Sequence, residues 1–204
     1  VVQSLGELLQ TVKHLGLSKC QIEDIELEAP IGEGESFTVD RCRYKSQLVA
    51  VKHVKLAALK SDSHNYYRRL RTVLAEIQIM HHAPLREHPN VLSILGYGWK
   101  TPNQSPLPYI VVEYGEHGSL RSWLKDHSRF QNMKSKLILA GDVASGVTAL
   151  HLCGIVHGDL KLDNIVVVPS WDRPSNAIAK LCDFGHSIIL GDTSQRQKYY
   201  GTTL

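Results

Sequence analysis

No Cys-x-x-Cys pair occurs in the 204 residues; the four cysteines stand alone at 20, 42, 153 and 182. That suggests neither a zinc site nor a disulfide framework, and makes a reducing compartment the expectation. No apolar run approaches the ~20 residues of a membrane span, and no signal-peptide pattern is visible. An intracellular, cytoplasmic protein without a membrane segment is therefore expected. A net charge of only +3 argues against a dedicated nucleic-acid surface, while leaving room for a small anionic ligand. Internal repeats and low-complexity segments are lacking too. What remains, 43% apolar and 21% charged residues, is ordinary for a soluble chain long enough for one core or two small lobes. The chain starts at Val1, not Met, and stops after Thr202-Thr203-Leu204, so it reads as a piece cut at both ends.

The richest stretch is Val156-His157-Gly158-Asp159-Leu160-Lys161-Leu162-Asp163-Asn164. It lies between a helical apolar pattern and the apolar run Ile165 to Val168. An Asp, a Lys two residues on and an Asn five residues on can converge on one phosphate-transfer site: Asp159 to accept a hydroxyl proton, Lys161 to neutralise phosphate, Asn164 to hold a metal.

Upstream, residues 4 to 16 read as a short amphipathic helix, with Ser4 and Glu7 at capping-box spacing and Leu5, Leu8, Leu9, Val12 and Leu15 at helical period. It is either a docking helix or, as preferred here, one packed on its own domain. Ile25 to Val39 reads as two strands around a turn holding Gly32 and Gly34, glycines that let backbone amides approach an anion. Leu48 to Lys52 is a third strand ending in a lysine, which is costly on an apolar run unless paired. Its candidate partner is Glu76, on a helix from about Tyr66 to His81 whose face carries Leu70, Val73, Leu74, Ile77 and Met80. Val91 to Leu95 reads as a strand, Thr101 to Pro108 as an exposed loop, and Tyr109 to Val112 as a buried strand. Glu113-Tyr114-Gly115 then leads from a strand-rich half to a helix-rich half, a usual place for a small-molecule cleft. Leu137 to Leu152 is the clearest long helix, with Leu139, Val143, Val147 and Leu150 on its apolar face and Ala140 and Ala144 beside them. The strand Lys180 to Cys182 ends at Asp183-Phe184-Gly185, where a turn can aim a carboxylate at a metal.

In this order and at these separations the motifs, from about residue 25 to 204, resemble a eukaryotic-type protein kinase domain. The resemblance implies an α+β, bilobal fold: an N-terminal helical extension over 1–20, a β-rich N-lobe over 21–114 and a partial helical C-lobe over 115–204 ending in the activation segment. It implies ATP and Mg²⁺ as cofactors and a protein with a Ser or Thr acceptor as partner; the oligomeric state stays open. Gly32 and Gly34 match the phosphate-covering loop, Val39 and Ala50 the adenine sandwich, Lys52 the phosphate-contacting lysine and Glu76 its helix partner. Glu113 and Gly115 match the adenine-binding backbone, Asp159 the catalytic base, Lys161 the lysine beside the transferred phosphoryl, and Asn164 and Asp183 the magnesium ligands. Met80, His157 and Phe184 match a hydrophobic stack, and Val112 the residue guarding the back pocket. Lys161, with Thr202 after Gly201, resembles the Ser/Thr class rather than the tyrosine class.

Two residues depart from the pattern. Phe37 stands at the third glycine of the phosphate loop, which bears on loop closure. Gly158 stands where the family often has an arginine that pairs with a phosphorylated activation segment. These two are the support for an alternative, a pseudokinase or nucleotide-binding scaffold without turnover; a small-molecule kinase is the third reading. Because the family's later helices are missing from the piece, residues 1–204 alone are expected to melt at lower temperature than a longer form and to be inactive. Parallel melting and ATP-turnover measurements check this, and equal values in the two would refute it.

Overall fold

The computed structural model describes residues 5–34, 37–55, 63–101, 107–126 and 132–190. The expectations placed on Ser4, on most of the 101–108 loop and on Thr202 lie outside them. The chain divides into two compact units, residues 1–81 with 93–114, and 82–92 with 115–204. Among the described residues, no helix is long and apolar enough to cross a membrane.

The first unit is built on a five-stranded antiparallel sheet of order β1-β2-β3-β5-β4. Its strands are β1 (Ile25–Glu33), β2 (Phe37–Tyr44), β3 (Gln47–Val54), β4 (Ile94–Lys100) and β5 (Leu107–Glu113). Side chains alternate between faces. One face gathers Cys42, Val49, Val51, Tyr109 and Val111 with Cys20 into a dry cluster. Burial pushes the Cys42 thiol up to about 11 and raises that of Cys20, so both are inert core cysteines. The other face carries Phe37, Val39, Ala50 and Lys52.

The edge strand β4 is closed by residues 18–20. The Tyr97 N–H donates to the Ser18 carbonyl (3.0 Å), the Cys20 N–H to the Tyr97 carbonyl (2.8 Å), and the Tyr109 hydroxyl to the Cys20 carbonyl (2.8 Å). Gly96 permits this approach: a Cβ there would lie 2.5 Å from the Cys20 Sγ. Covering an edge in this way removes a template for aberrant pairing.

Helix α1 (Leu5–His14) buries Leu8 and Val12 and packs on α2 (Ser63–His81), as the preferred reading of that segment has it. In α2 the residues Leu70, Val73, Ile77 and Met80 are buried, together with Glu76 and Ile79.

The second unit holds α3 (Ala83–Arg86), α4 (Leu120–Lys125) and α5 (Met133–Leu152). It also holds two antiparallel two-stranded sheets, β6 (Ile155–Val156) with β9 (Ile188–Ile189), and β7 (Ile165–Pro169) with β8 (Ala177–Leu181). The expected strand at 91–95 is split. Val91 bridges to Leu181 and the Leu92 N–H donates to the Leu181 carbonyl (2.9 Å), whereas β4 begins only at Ile94. The apolar run is shared between two units, which periodicity cannot detect.

The face of α5 buries Leu139 and Leu150 as expected but differs between them. Its buried residues are Ser135, Leu139, Asp142, Gly146 and Leu150, while Val143 and Val147 are half-buried and Ala140 and Ala144 exposed. The seam is set by two residues that do not look apolar-periodic. Gly146 lets the helix come close: a Cβ there would lie 2.7 Å from the Asn90 carbonyl oxygen. Asp142 accepts from Arg173 Nη1 and Nη2 (both 2.8 Å) and from the Ala179 N–H (3.0 Å), so its carboxylate ties α5 to β8 and to the turn before it. The same ion pair raises the Arg173 pKa above its ordinary value. Asp142→Ala strands the buried Ala179 N–H and the Arg173 fork, and is expected to cost about 2–3 kcal/mol in urea unfolding. Asp142→Asn, which keeps an acceptor, should cost less.

Candidate active site

In the first unit the strand register lines up the site. Gly32 is opposite Val39, Val39 opposite Lys52, and Lys52 opposite Ile110, a single row across β1, β2, β3 and β5. Ala50, two residues before Lys52, shares its face. The Lys52 ammonium donates to Glu76 Oε1 on α2. Glu76 is 1% exposed and the Lys52 side chain 11%, so both charges are largely out of water and each compensates the other. The β1–β2 turn is closed by the Gly34 N–H donating to the Phe37 carbonyl (2.8 Å). Lys55 grips the same turn, donating to the Gly34 carbonyl (2.8 Å) and to the Glu33 carboxylate. That hydrogen bond lowers the Glu33 pKa. The sequence reading passed over Lys55; a lysine three residues after Lys52 carries no pattern by itself.

Glu113 and Gly115, assigned to adenine, have backbone roles already. The Glu113 N–H donates to the Ser93 carbonyl (3.0 Å). Gly115 accepts from the Gly118 N–H (2.8 Å), and a Cβ on it would lie 2.8 Å from the Val166 Cβ. A glycine is required there by packing alone.

In the second unit Asp159, Lys161 and Asn164 meet. Lys161 Nζ donates to Asp159 Oδ2 (2.8 Å), and Asn164 Nδ2 donates to the same oxygen (2.9 Å) and to the Asp159 carbonyl (2.9 Å). The 3-10 turn Leu162–Asn164 is what brings Asn164 back over Asp159. The hydrogen bond to Asp159 raises the Lys161 pKa, so the amine stays an ammonium at neutral pH. Arg121 on α4 braces the loop from outside through Asp163 (2.8 and 2.9 Å), a contact sequence reasoning missed because 42 positions separate the two.

His157 organises the loop from below. Its Nε2 lies 3.1 Å from the Cys182 carbonyl, which can only accept, so Nε2 carries the proton. Burial lowers the His157 pKa; the ring is neutral, and Nδ1 accepts from the Asp159 N–H at 3.4 Å. The ring packs on Phe184 with centroids 5.3 Å apart, and the His157 carbonyl accepts from Ser187 Oγ (3.1 Å). Two of the three residues read as a stack thus touch; the third, Met80, is buried in the first unit.

Asp183 sits at φ 63°, ψ 72°, a left-handed turn that few non-glycine residues adopt. Its charge reaches both Lys161 and His157. Asn164 commits its amide nitrogen to Asp159, which turns its amide oxygen the other way. An amide oxygen and one carboxylate suit a magnesium ion that takes its remaining ligands from phosphates and water. Among the described residues, no group of three or more His, Cys, Asp or Glu could hold a metal by itself.

Gly158 also has a steric reason. It lies at φ +78°, and a Cβ would fall 2.2 Å from the His186 carbonyl oxygen. The backbone after Asp183-Phe184-Gly185 is pressed onto it. Gly158→Ala is expected to cost about 1–3 kcal/mol for the strained φ alone, with any shift of residue 186 added. Urea unfolding checks this, and stability equal to the parent would show that the approach at 186 is no constraint.

The model of the protein kinase domain matches residues 25–204. The chain is 28% identical over 190 residues to the probable serine/threonine-protein kinase gdt4 of Dictyostelium discoideum, covering 91% of this chain and 10% of that protein. It is 31% identical over 174 residues to the human serine/threonine-protein kinase TNNI3K, covering 83% of this chain and 19% of the relative. It is 32% identical over 187 residues to the probable serine/threonine-protein kinase SIS8 of Arabidopsis thaliana, covering 87% and 16%. The chain thus spans a fifth or less of these relatives' lengths. With the match from 25 to 204 joined to the paired Lys52 and Glu76 and the Asp159 loop, the chain belongs to the protein kinase family.

Proposed function

We propose that the chain is the catalytic part of an ATP-dependent protein serine/threonine kinase. The observation that carries this reading is the Asp159 carboxylate gripped through one oxygen by both Lys161 and Asn164. That grip fixes the carboxylate's plane beside an ammonium, which is what transfer to a hydroxyl needs. The Ser/Thr class is supported by Lys161 and by the names of the relatives.

In the reaction, Asp159 orients the acceptor hydroxyl and takes its proton as the oxygen bonds to the γ-phosphorus of ATP. The bond from that phosphorus to the β,γ-bridging oxygen breaks, and ADP leaves. Lys161 neutralises charge on the transferring phosphoryl, and Lys52, held by Glu76, binds the phosphates of ATP. The backbone around Gly32 and Gly34 covers the phosphates, Val39 and Ala50 sandwich the adenine, and Glu113 and Gly115 supply its backbone contacts. Asn164 and Asp183 are the residues to hold Mg²⁺, which supplies charge neutralisation on the phosphate oxygens. Because Gly158 replaces an arginine, the reading includes an activation segment that needs no arginine–phosphate contact at that position.

The test is phosphate transfer from radiolabelled ATP with Mg²⁺ to a generic Ser/Thr protein, using the full-length protein. Asp159→Asn is expected to lower transfer roughly 10²–10⁴-fold while ATP binding persists. Binding by the native protein with no transfer above that variant would favour the scaffold without turnover.

A further inference from the structure

Phe37 is the residue the kinase reading leaves unexplained. It stands where the phosphate loop would have its third glycine, yet it does not point into solvent. It begins β2, is 5% exposed, and pairs in register with Val54, two residues beyond Lys52 on the same face. The Lys52 ammonium lies 4.4 Å from the centre of its ring. The ring is placed by backbone, since the Gly34 N–H donates to the Phe37 carbonyl (2.8 Å) and Lys55 anchors the same turn.

We propose that Phe37 is a positioning residue for Lys52, holding the ammonium for nucleotide phosphates from the side that Glu76 does not reach. The proposal rests on the kinase reading of Lys52. Lysine has a long, freely rotating stem, and one carboxylate constrains its tip from a single direction. An aromatic face attracts the charge from a second direction without acting as a directed acceptor. It also keeps water off the ammonium, which strengthens the attraction between that charge and an incoming phosphate. A glycine at this position offers neither effect. The chain therefore exchanges backbone freedom in the loop for a pre-set lysine.

The experiment uses the full-length protein and two readouts. The first is the affinity for a non-hydrolysable Mg²⁺–ATP analogue in Phe37→Leu, which keeps apolar bulk, and Phe37→Trp, which keeps a π face. The second is NMR of ¹³C-lysine-labelled protein, with the Lys52 signal assigned through Lys52→Arg. Loss of the cation–π contact is expected to weaken binding roughly 3–30-fold in Phe37→Leu, with recovery in Phe37→Trp. The native Lys52 ε-methylene signal should show an upfield ring-current shift that Phe37→Leu abolishes. A native Lys52 signal without that shift overturns the proposal, as does unchanged analogue affinity in Phe37→Leu. Failure of the native protein to bind the analogue at all overturns the kinase reading, and the proposal with it. Should Phe37→Leu fail to fold, the native ring-current shift and the Phe37→Tyr affinity, expected at the native level, still decide.

Discussion

A buried charge must be answered by an opposite one, and in the first unit that requirement falls on Lys52 and Glu76. Glu76 can lie at 1% exposure only because α2 aims it at a strand whose register places Lys52 opposite Val39 and Ile110. Sheet register, helix placement and the charge pair are therefore one constraint. Slipping β3 by one residue would turn Lys52 to the face occupied by Cys42, Val51 and Tyr109 and would leave Glu76 uncompensated. Phe37 belongs to the same arrangement, since its ring lies over the ammonium.

The second unit is organised by hydrogen bonds that converge on a short loop. His157 joins the Asp159 backbone, the Cys182 carbonyl, the Phe184 ring and Ser187. Gly158 then admits the backbone of residue 186 at a distance no side chain would allow. The loop and the segment after Asp183 are thereby built as one piece. Asp142 does the equivalent for the long helix, holding it to β8 through Arg173 and the Ala179 N–H. In both places a residue that breaks the apolar pattern sets the geometry.

Much of the candidate site was legible because its residues are close in sequence. Asp159, Lys161 and Asn164 lie within six residues, and a 3-10 turn is enough to join them. The helix bearing Glu76 was legible from its apolar period and the strand bearing Lys52 from its continuous apolar run, since apolar spacing follows the shape of each element. Less legible were the roles of Lys55, Arg121 and Arg173, whose partners are distant in sequence and whose residue types are common on surfaces. The face of α5 was only partly legible for a related reason. Its seam runs through Asp142 and Gly146, one made acceptable by an ion pair and the other by a close helix crossing.

By itself the sequence determined the family, the α+β character and the order of the motifs, and it singled out the candidate site residues, because these depend on residue type and spacing along the chain. Only the tertiary structure decided that the apolar run at 91–95 serves two units, that Phe37 faces Lys52, and that Gly158 is needed for a backbone contact with residue 186. Each of those depends on which segment arrives on the other side, and that is a property of packing between distant residues, with no local pattern to announce it.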